Sequence, residues 1–504
     1  MKNTLLIFII LCISLAYTNA QDTIYVYKNG NIVNQTATND VDSIIFRPFI
    51  NGSDSCSWQW AESIEAGNDH IINSIAADAN GNIYIAGEYT NQNITFGSIV
   101  LTNSASGTYD MFIAKCDSNG TFLWAKSFGG ANDDKAKSVN VDINGNVYLT
   151  GYYESSSISF GTTELTNIAY SDIFLSKFTS DGNVIWAKCA GTNDYEEATS
   201  VKTDLAGNAF ITGFFEGTSI TFGSTVINNA GSGSNSFLAK YDSNGNVIWA
   251  KSSITNNILD GAYSKSVSSD AAGNTYIVGN FHGTVIFGST TLTISTNSRN
   301  IFIVKYDANG NLVWAKAPVI SNSEQNPDYN NNAYSVAVDF SGNIYVAGDF
   351  NSPTFTFDTI TLTPVGGGPQ HDMFIVKYDA DGNVIWAKSA GGSNYDNGSS
   401  VAVDALGNVY LSGVFQSNSI SFDSYTLSNS GVADAVIVKY DTDGNVLCVK
   451  RPIGYSSELL TCSVVDYAGH ICVSGEFYGN TLTFDSITIT NSNNYSIFLS
   501  KLNK

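Results

Sequence analysis

The chain has 504 residues, 43% hydrophobic and only 13% charged, with 45 Gly, 27 Tyr, 28 Phe and 7 Pro. Abundant aromatic and β-branched residues, with few helix formers and no sustained helical periodicity, point to an all-β protein. A formal net charge of −22 argues against nucleic acid as a partner, because phosphate backbones are held by clustered Lys and Arg.

Met1-Lys2-Asn3-Thr4 precedes an apolar run from Leu5 to Ala16 and then Tyr17-Thr-Asn-Ala20. A basic start, a short apolar core and small residues at the end read as a signal peptide over residues 1–20, with export expected to an extracellular, cell-surface or periplasmic location. No other stretch is apolar enough for a spanning helix. Residues 21–55 form a separate segment. Thr23-Ile-Tyr-Val-Tyr-Lys-Asn-Gly-Asn-Ile-Val33 alternates apolar and polar residues around an Asn-Gly turn, which predicts a hairpin. Val41–Phe46 is a possible third strand, and Asn51–Ser55 a linker. The segment resembles a short leader common on exported Bacteroidetes proteins.

From residue 56 onward the sequence is one repeat. Its most regular piece is Lys377-Tyr-Asp-Ala-Asp-Gly-Asn-Val-Ile-Trp-Ala-Lys388, a strand, a Gly-Asn turn and a strand bearing tryptophan. The tryptophan recurs at Trp124, Trp186, Trp249, Trp314 and Trp386; Cys448 takes its place once, and Trp60 stands alone near the start. A full unit reads as four short antiparallel strands: Ser400–Asp404, Val409–Phe415, Asp434–Tyr440 and Asn445–Lys450, with a polar segment between the second and third. One such sheet cannot bury both faces, so it must stack on its neighbours. First strands, second-strand glycines and third-strand lysines each number seven, whereas fourth strands following a third strand number six. Ser57–Glu62 supplies the missing strand. The expected fold is a seven-bladed β-propeller over 56–504, closed by the N-terminal strand 57–62 completing the last blade, an arrangement that removes open sheet edges. The unit Asp-x-x-Gly-Asn-x-Tyr-x-x-Gly-x-Phe…Asp-x-Phe-Ile-x-Lys-Tyr-Asp-x-x-Gly-Asn-Val-x-Trp-Ala-Lys resembles the SBBP-type β-propeller repeat of exported bacterial proteins over about 58–504. That resemblance implies the fold and no single activity.

The six tryptophans, Trp60 included, are expected to pack between blades. Most of the cysteines replace repeat residues and read as small buried hydrophobes, and Cys462 with Cys472 is a possible disulfide. The Asp-x-x-Gly-Asn turns lack calcium-loop spacing and read as turns in which Asp accepts backbone N–H groups. His70, His282, His371 and His470 occupy unrelated repeat positions, and no metal or cofactor motif, nucleophile elbow or phosphate loop appears.

Variation concentrates in the connections from a fourth strand to the next first strand, expected on one face at the mouth of the axial channel. These place acids and tyrosines there: Asp69, Asp133, Asp134, Asp194, Tyr195, Glu197, Asp260, Asp328, Tyr329, Tyr395, Asp396 and Glu458. Carboxylates with tyrosines suit sugars or cations; the plainer alternative is a solvated loop with local turns. The expected function is a non-catalytic, monomeric, exported binding or scaffold module whose partner is a protein or surface glycan, with no cofactor. The alternatives are a carbohydrate-active enzyme using a carboxylate pair at the channel mouth and a purely structural cell-envelope protein.

Overall fold

The computed structural model describes residues 23–28, 31–37, 56–65 and 70–504, apart from 230, 232, 296, 321–328 and 367–368. The chain divides into two compact units, Met1–Ser53 and Asp54–Lys504. In the first, Thr23–Lys28 pairs antiparallel with Asn31–Ala37; the proposed signal peptide and the third strand at 41–46 lie outside the described residues. No helix occurs among the described residues, and none is long and apolar enough to cross a membrane.

The second unit contains, among the described residues, seven four-stranded antiparallel sheets. The first is built from His70–Ala77, Ile83–Tyr89, Asp110–Cys116 and Phe122–Phe128, paired in chain order. In the last, Trp58–Ile64 pairs with Tyr495–Leu502, which continues through Ile471–Tyr478 to Glu458–Val465. An early strand therefore completes a sheet made otherwise of the final residues. The second and third strands are buried along nearly their whole length, and in the sixth sheet completely, so their Val, Ile, Tyr and Phe residues meet neighbours on both faces.

Each hydrophobic core lies between one sheet and the next. Tyr148, Ile173 and Leu175 of the second sheet share a core with Val201, Ile211 and Phe237 of the third. Cys462, Cys472, Ile497 and Leu499 of the last sheet share one with Ile72, Ile85 and Phe112 of the first. Serines on the inner strands tie the sheets together. Ser74 Oγ accepts the Val139 N–H at 3.0 Å, Ser138 that of Val201 at 3.1 Å, and Ser200 that of Val267 at 3.2 Å. Ser266, Ser335 and Ser400 repeat the contact toward Val336, Val401 and Ser463. The seventh such position is Cys462. There Thr461 Oγ1 instead donates to the Ile72 carbonyl at 2.9 Å, as Thr199 donates to Ser264 between the third and fourth sheets.

The polar segment between second and third strands is not loop. In every sheet it contains a small hairpin, such as Ser419–Phe422 with Tyr425–Ser428, that buries its Ile and Phe, here Ile420 and Phe422. Pieces of three or four residues set among Ser and Thr are too short to show a strand period. The hairpin turn needs positive φ: Gly97, Gly161, Gly223 and Gly288 supply it in four sheets, and Asp358, Asp423 and Asp485 in three. Those three carboxylates then pair with Lys316, Lys388 and Lys450 of the neighbouring outer strand.

The tryptophans sit at the joints between sheets. Trp124 Nε1 donates to the Ser180 carbonyl, Trp186 to Ser243, Trp249 to Ala308 and Trp386 to Thr442, each on the outer turn of the following sheet. Trp314 takes the same place against the next turn glycine, Gly382. The indole lies against the turn glycine, and a Cβ on Gly245 would meet Trp186 at 3.0 Å. That glycine has φ +81°, so the turn and the indole contact both demand it. Trp386 is 8% exposed, whereas Trp186 is only half-buried.

The sixth sheet departs from this pattern for a structural reason. Its outer strand would direct a tryptophan at the outer turn of the last sheet, which has none because the chain ends run there. Cys448 stands in place of the indole and forms a disulfide with Cys56, 392 residues away. Cys462 and Cys472 are free and buried; they face Ser474 and Val464 in the strand register, not each other. The possible bond between them is thereby corrected, and so is the reading of Cys448 as a mere hydrophobe.

Candidate functional site

Connections between second and third strands and those entering the inner strands meet at one end of the sheets. The Asp134 N–H donates to the Tyr109 carbonyl, that of Asp396 to His371 and that of Glu458 to Ala433. Asp69 and Asp328 lie outside the described residues. The remaining predicted residues fall into two groups.

The first group is buried. Asp134, Asp396 and Glu458 open inner strands with no exposed surface, and Asp260 and Tyr329 are nearly as enclosed. Asp134 accepts N–H bonds from Gly130, Glu154 and Ser155 and the Ser155 hydroxyl. Asp396 repeats this with Gln416 and Ser417. Asp260 accepts from Asn257. Asp134 and Asp396 thereby fasten an inner strand to the segment after the second strand, satisfying backbone N–H groups that would otherwise be buried unpaired. Burial raises the pKa of Asp134 to about 6 and that of Glu458 to about 8, with the Asp434 charge adding to the latter. Arg451 binds Asp434 beside it. Residues absent from the predicted set occupy the same position at the start of an inner strand. Glu196, 1% exposed, accepts the Thr192 N–H and hydroxyl and is raised by burial to about 8; Asn331 accepts from Asn351 and Ser352. Their signal in the sequence is position, two residues before the Ala, Gly or Leu that pairs with a second-strand glycine.

The second group reaches solvent or the channel. Asp133 accepts the Tyr109 N–H and lies 3.7 Å from Lys135. Asp194 accepts the Tyr195 N–H, and Glu197 is half-buried on the inner strand of the third sheet. Tyr195 is 48% exposed and stacks on Tyr170, 58% exposed, with ring centroids 4.8 Å apart. Tyr170 lies in the preceding sheet and sequence reasoning did not select it. Ile168, Ile258, Leu259, Val432 and Tyr455 are exposed on the same connections. Tyr395 turns inward, donating to Asp349 at 3.0 Å, while His371 Nδ1 lies 2.6 Å from the other oxygen of that carboxylate. Asp349 and His371 were also outside the predicted set. Among the described residues no group of three or more His, Cys, Asp or Glu side chains could hold a metal ion.

At the opposite end all seven inner strands, with the Asp-x-x-Gly turns of the third to seventh sheets, line an axial cavity of about 460 Å³. The turn carboxylates are consumed locally. In Asp204-Leu-Ala-Gly-Asn208, Asp204 Oδ1 accepts the N–H groups of Ala206 and Asn208, and Oδ2 accepts from the Asn208 amide. Lys240 on the third strand lies 3.6 Å from the same carboxylate.

Comparison with known proteins agrees with this architecture. The chain carries the SBBP beta-propeller repeat, matched at residues 59–94 and 123–152. It is similar to the uncharacterized WD repeat-containing protein L264 of Acanthamoeba polyphaga mimivirus, with 26% identity over 508 residues, 84% of this chain and 36% of that protein. It also resembles the regulatory protein FlaEY of Caulobacter vibrioides, 27% identical over 29% of this chain and 14% of that protein. The chain thus spans only a part of either relative's length. Among solved structures, Sqt1 from Chaetomium thermophilum aligns over 90% of this chain and 99% of its own at 9% identity and TM-score 0.42. The Neurospora crassa Pan2 WD40 domain aligns over 89% and 98% at 8% identity and TM-score 0.39.

Proposed function

We propose that this protein is a closed seven-bladed propeller, exported and non-catalytic, that binds a protein or surface glycan through its variable connections. Closure is supported by the core and the Thr461–Ile72 bond that join the last sheet to the first. Export is supported by the N-terminal apolar run and by the Cys56–Cys448 disulfide, a bond characteristic of oxidising compartments. Similarity to a WD repeat-containing protein supports an interaction or scaffold role. The observation that carries the binding surface is the Tyr170–Tyr195 stack, two exposed rings from adjacent sheets with planes inclined by 30°. Such a platform suits the apolar face of a sugar ring or an aliphatic side chain. The test is a screen of the purified protein against glycans and envelope proteins, repeated with Tyr170→Ala/Tyr195→Ala. The expected result is a ligand bound by the native protein and lost by a variant with unchanged melting. A ligand bound equally by both would remove this surface from consideration.

A second reading, an enzyme acting on polysaccharide, has one observation in its favour. Asp349 is buried, contacts His371 and Tyr395, and accepts from Asn332 at 2.8 Å, a polar cluster where the fifth sheet meets the connection into the sixth. Polysaccharide turnover abolished by Asp349→Asn would establish it.

A further inference from the structure

The two kinds of Asp-x-x-Gly turn share one backbone design and differ in the residue after the aspartate. In both, Asp Oδ1 accepts the N–H groups two and four residues on, as in Asp204 and Asp242. The side chain at the next position takes no part. On the outer turns that position holds Ser118, Ser180, Ser243, Ala308, Ala380 and Thr442, all small or hydroxylated. On the inner turns it is apolar or aromatic in all seven sheets: three alanines, with Ile143, Leu205, Phe340 and Tyr467. These four are 55%, 63%, 81% and 66% exposed. The turn does not require them, no core claims them, and large apolar side chains gathered on one surface mark an interaction site.

Three of them also surround something. Leu205, Phe340 and Tyr467 line the entrance of the 460 Å³ axial cavity. Within its wall, one inner-strand position carries Ala76, Asn140, Ser268, Ala337, Ala402 and Val464 in six sheets and Lys202 in the third. Lys202 is the only cation in the lining, and among the described residues it has no ion-pair partner. The third-strand lysines, by contrast, answer turn carboxylates, as Lys501 does Asp466 at 2.8 Å. Burial pushes the Lys202 ammonium below its ordinary value, as expected of a cation enclosed without a counter-charge. In a chain of net charge −22, a lone cation inside an apolar rim is a specific feature.

We propose that the turn end is a second docking surface, for a partner-protein segment that lays apolar side chains on the Leu205–Phe340–Tyr467 rim and inserts a carboxylate against Lys202. Asp204, Asp270, Asp339, Asp404 and Asp466 also line the cavity, but each is held by the N–H groups of its own turn. That leaves Lys202 as the charge a partner carboxylate can answer; the apolar flanks are what the rim offers. This surface is opposite the Tyr170–Tyr195 end and independent of it.

The test uses the full mature protein and an array of peptides in which Glu or Asp is flanked by Leu, Phe or Ile, each paired with its Gln or Asn counterpart. Binding is followed by fluorescence anisotropy for the native protein and for Lys202→Met, Phe340→Ser and Leu205→Ser, each first shown to melt like the native chain. Expected are acidic peptides that bind, at least tenfold weaker binding by their amide counterparts, a tenfold loss in Lys202→Met for the acidic peptide only, and losses for both in the rim variants. Tyr170→Ala/Tyr195→Ala should leave this binding intact. The proposal is overturned if no peptide binds, if amide and acid bind alike, or if Lys202→Met does not discriminate between them. It is equally overturned if Phe340→Ser acts by dissolving a dimer in sedimentation, or by abolishing binding to neutral phosphatidylcholine vesicles, since those outcomes assign the rim to a second copy or to a lipid surface.

Discussion

Trp60 Nε1 donates to the Ser118 carbonyl at 3.0 Å, the same contact that Trp124 makes with Ser180 at 3.1 Å. The first pair joins the strand at the start of the second unit to a sheet formed later in the chain; the second joins two sheets that follow in order. Physically the two joints are one device, an indole resting on a turn glycine, Gly120 in one and Gly182 in the other. Deleting Cys56–Ser63 should therefore leave the last sheet with an open edge, strip the first sheet's turn and lower the melting temperature of the whole unit. A truncated protein that melts like the native one would disprove closure.

The tryptophans should not be equal. Trp386, 8% exposed, should cost about 3–5 kcal/mol on replacement by Ala. Trp186, half-buried, should cost less, because part of its ring is already in water. Urea unfolding of the two variants side by side gives the comparison.

The Cys56–Cys448 disulfide closes a loop of nearly the whole unit. Reduction, or Cys448→Ser, should destabilise by about 2–5 kcal/mol. Alkylation of the denatured, unreduced mature protein should label Cys116, Cys189, Cys462 and Cys472 and spare the other two. Mass spectrometry reads both sets.

Glu196 gives a pH dependence with a definite sign. Burial raises its folded pKa to about 8, against about 4.3 in an unfolded chain. The folded state keeps a proton that the unfolded chain has already released. The contribution is therefore complete below the unfolded value and is lost as pH climbs through the folded one. Glu196→Gln, which cannot ionise, should lose less stability than the native protein between about pH 5 and 8. Parallel decline of the two melting temperatures over that window would rule the effect out.

The inner serines offer a finer test. Ser138→Ala strands the Val201 N–H, whose present bond is 3.1 Å, at a cost of about 1–3 kcal/mol. Cys462→Ser places a hydroxyl where the other six sheets have one, and should be neutral or stabilising. Calorimetry would separate the two directions.

The architecture was legible because it recurs: tryptophans, turn glycines and third-strand lysines repeat at a fixed place, and the count leaves one strand to be supplied from the front. The site was less so. Acids near the inner strands were visible, but a shift of one residue moves a side chain between faces, as the buried Asp134 and the half-buried Asp133 illustrate. A sequence order of acids does not say which are spent on backbone N–H groups. Tyr170 was missed because its partner, Tyr195, lies in another repeat, and the Cys56–Cys448 bond because its halves are 392 residues apart. The apolar residues of the inner turns were in plain view; uniform turns drew attention away from the one position that is not dictated by turning.

The Asn503 N–H donates to the Ser57 carbonyl at 2.9 Å, so the two limits of the sheet-forming unit meet as neighbours where the other sheets have an outer turn. A short linker from Lys504 to Ser57, with new ends cut at Asp443-Gly444, would begin the unit one sheet earlier and keep every core. Where the polypeptide starts is thus a matter of bookkeeping to this fold, and circular permutants opened at successive outer turns offer a way to move a fused label or enzyme around the rim without touching either end.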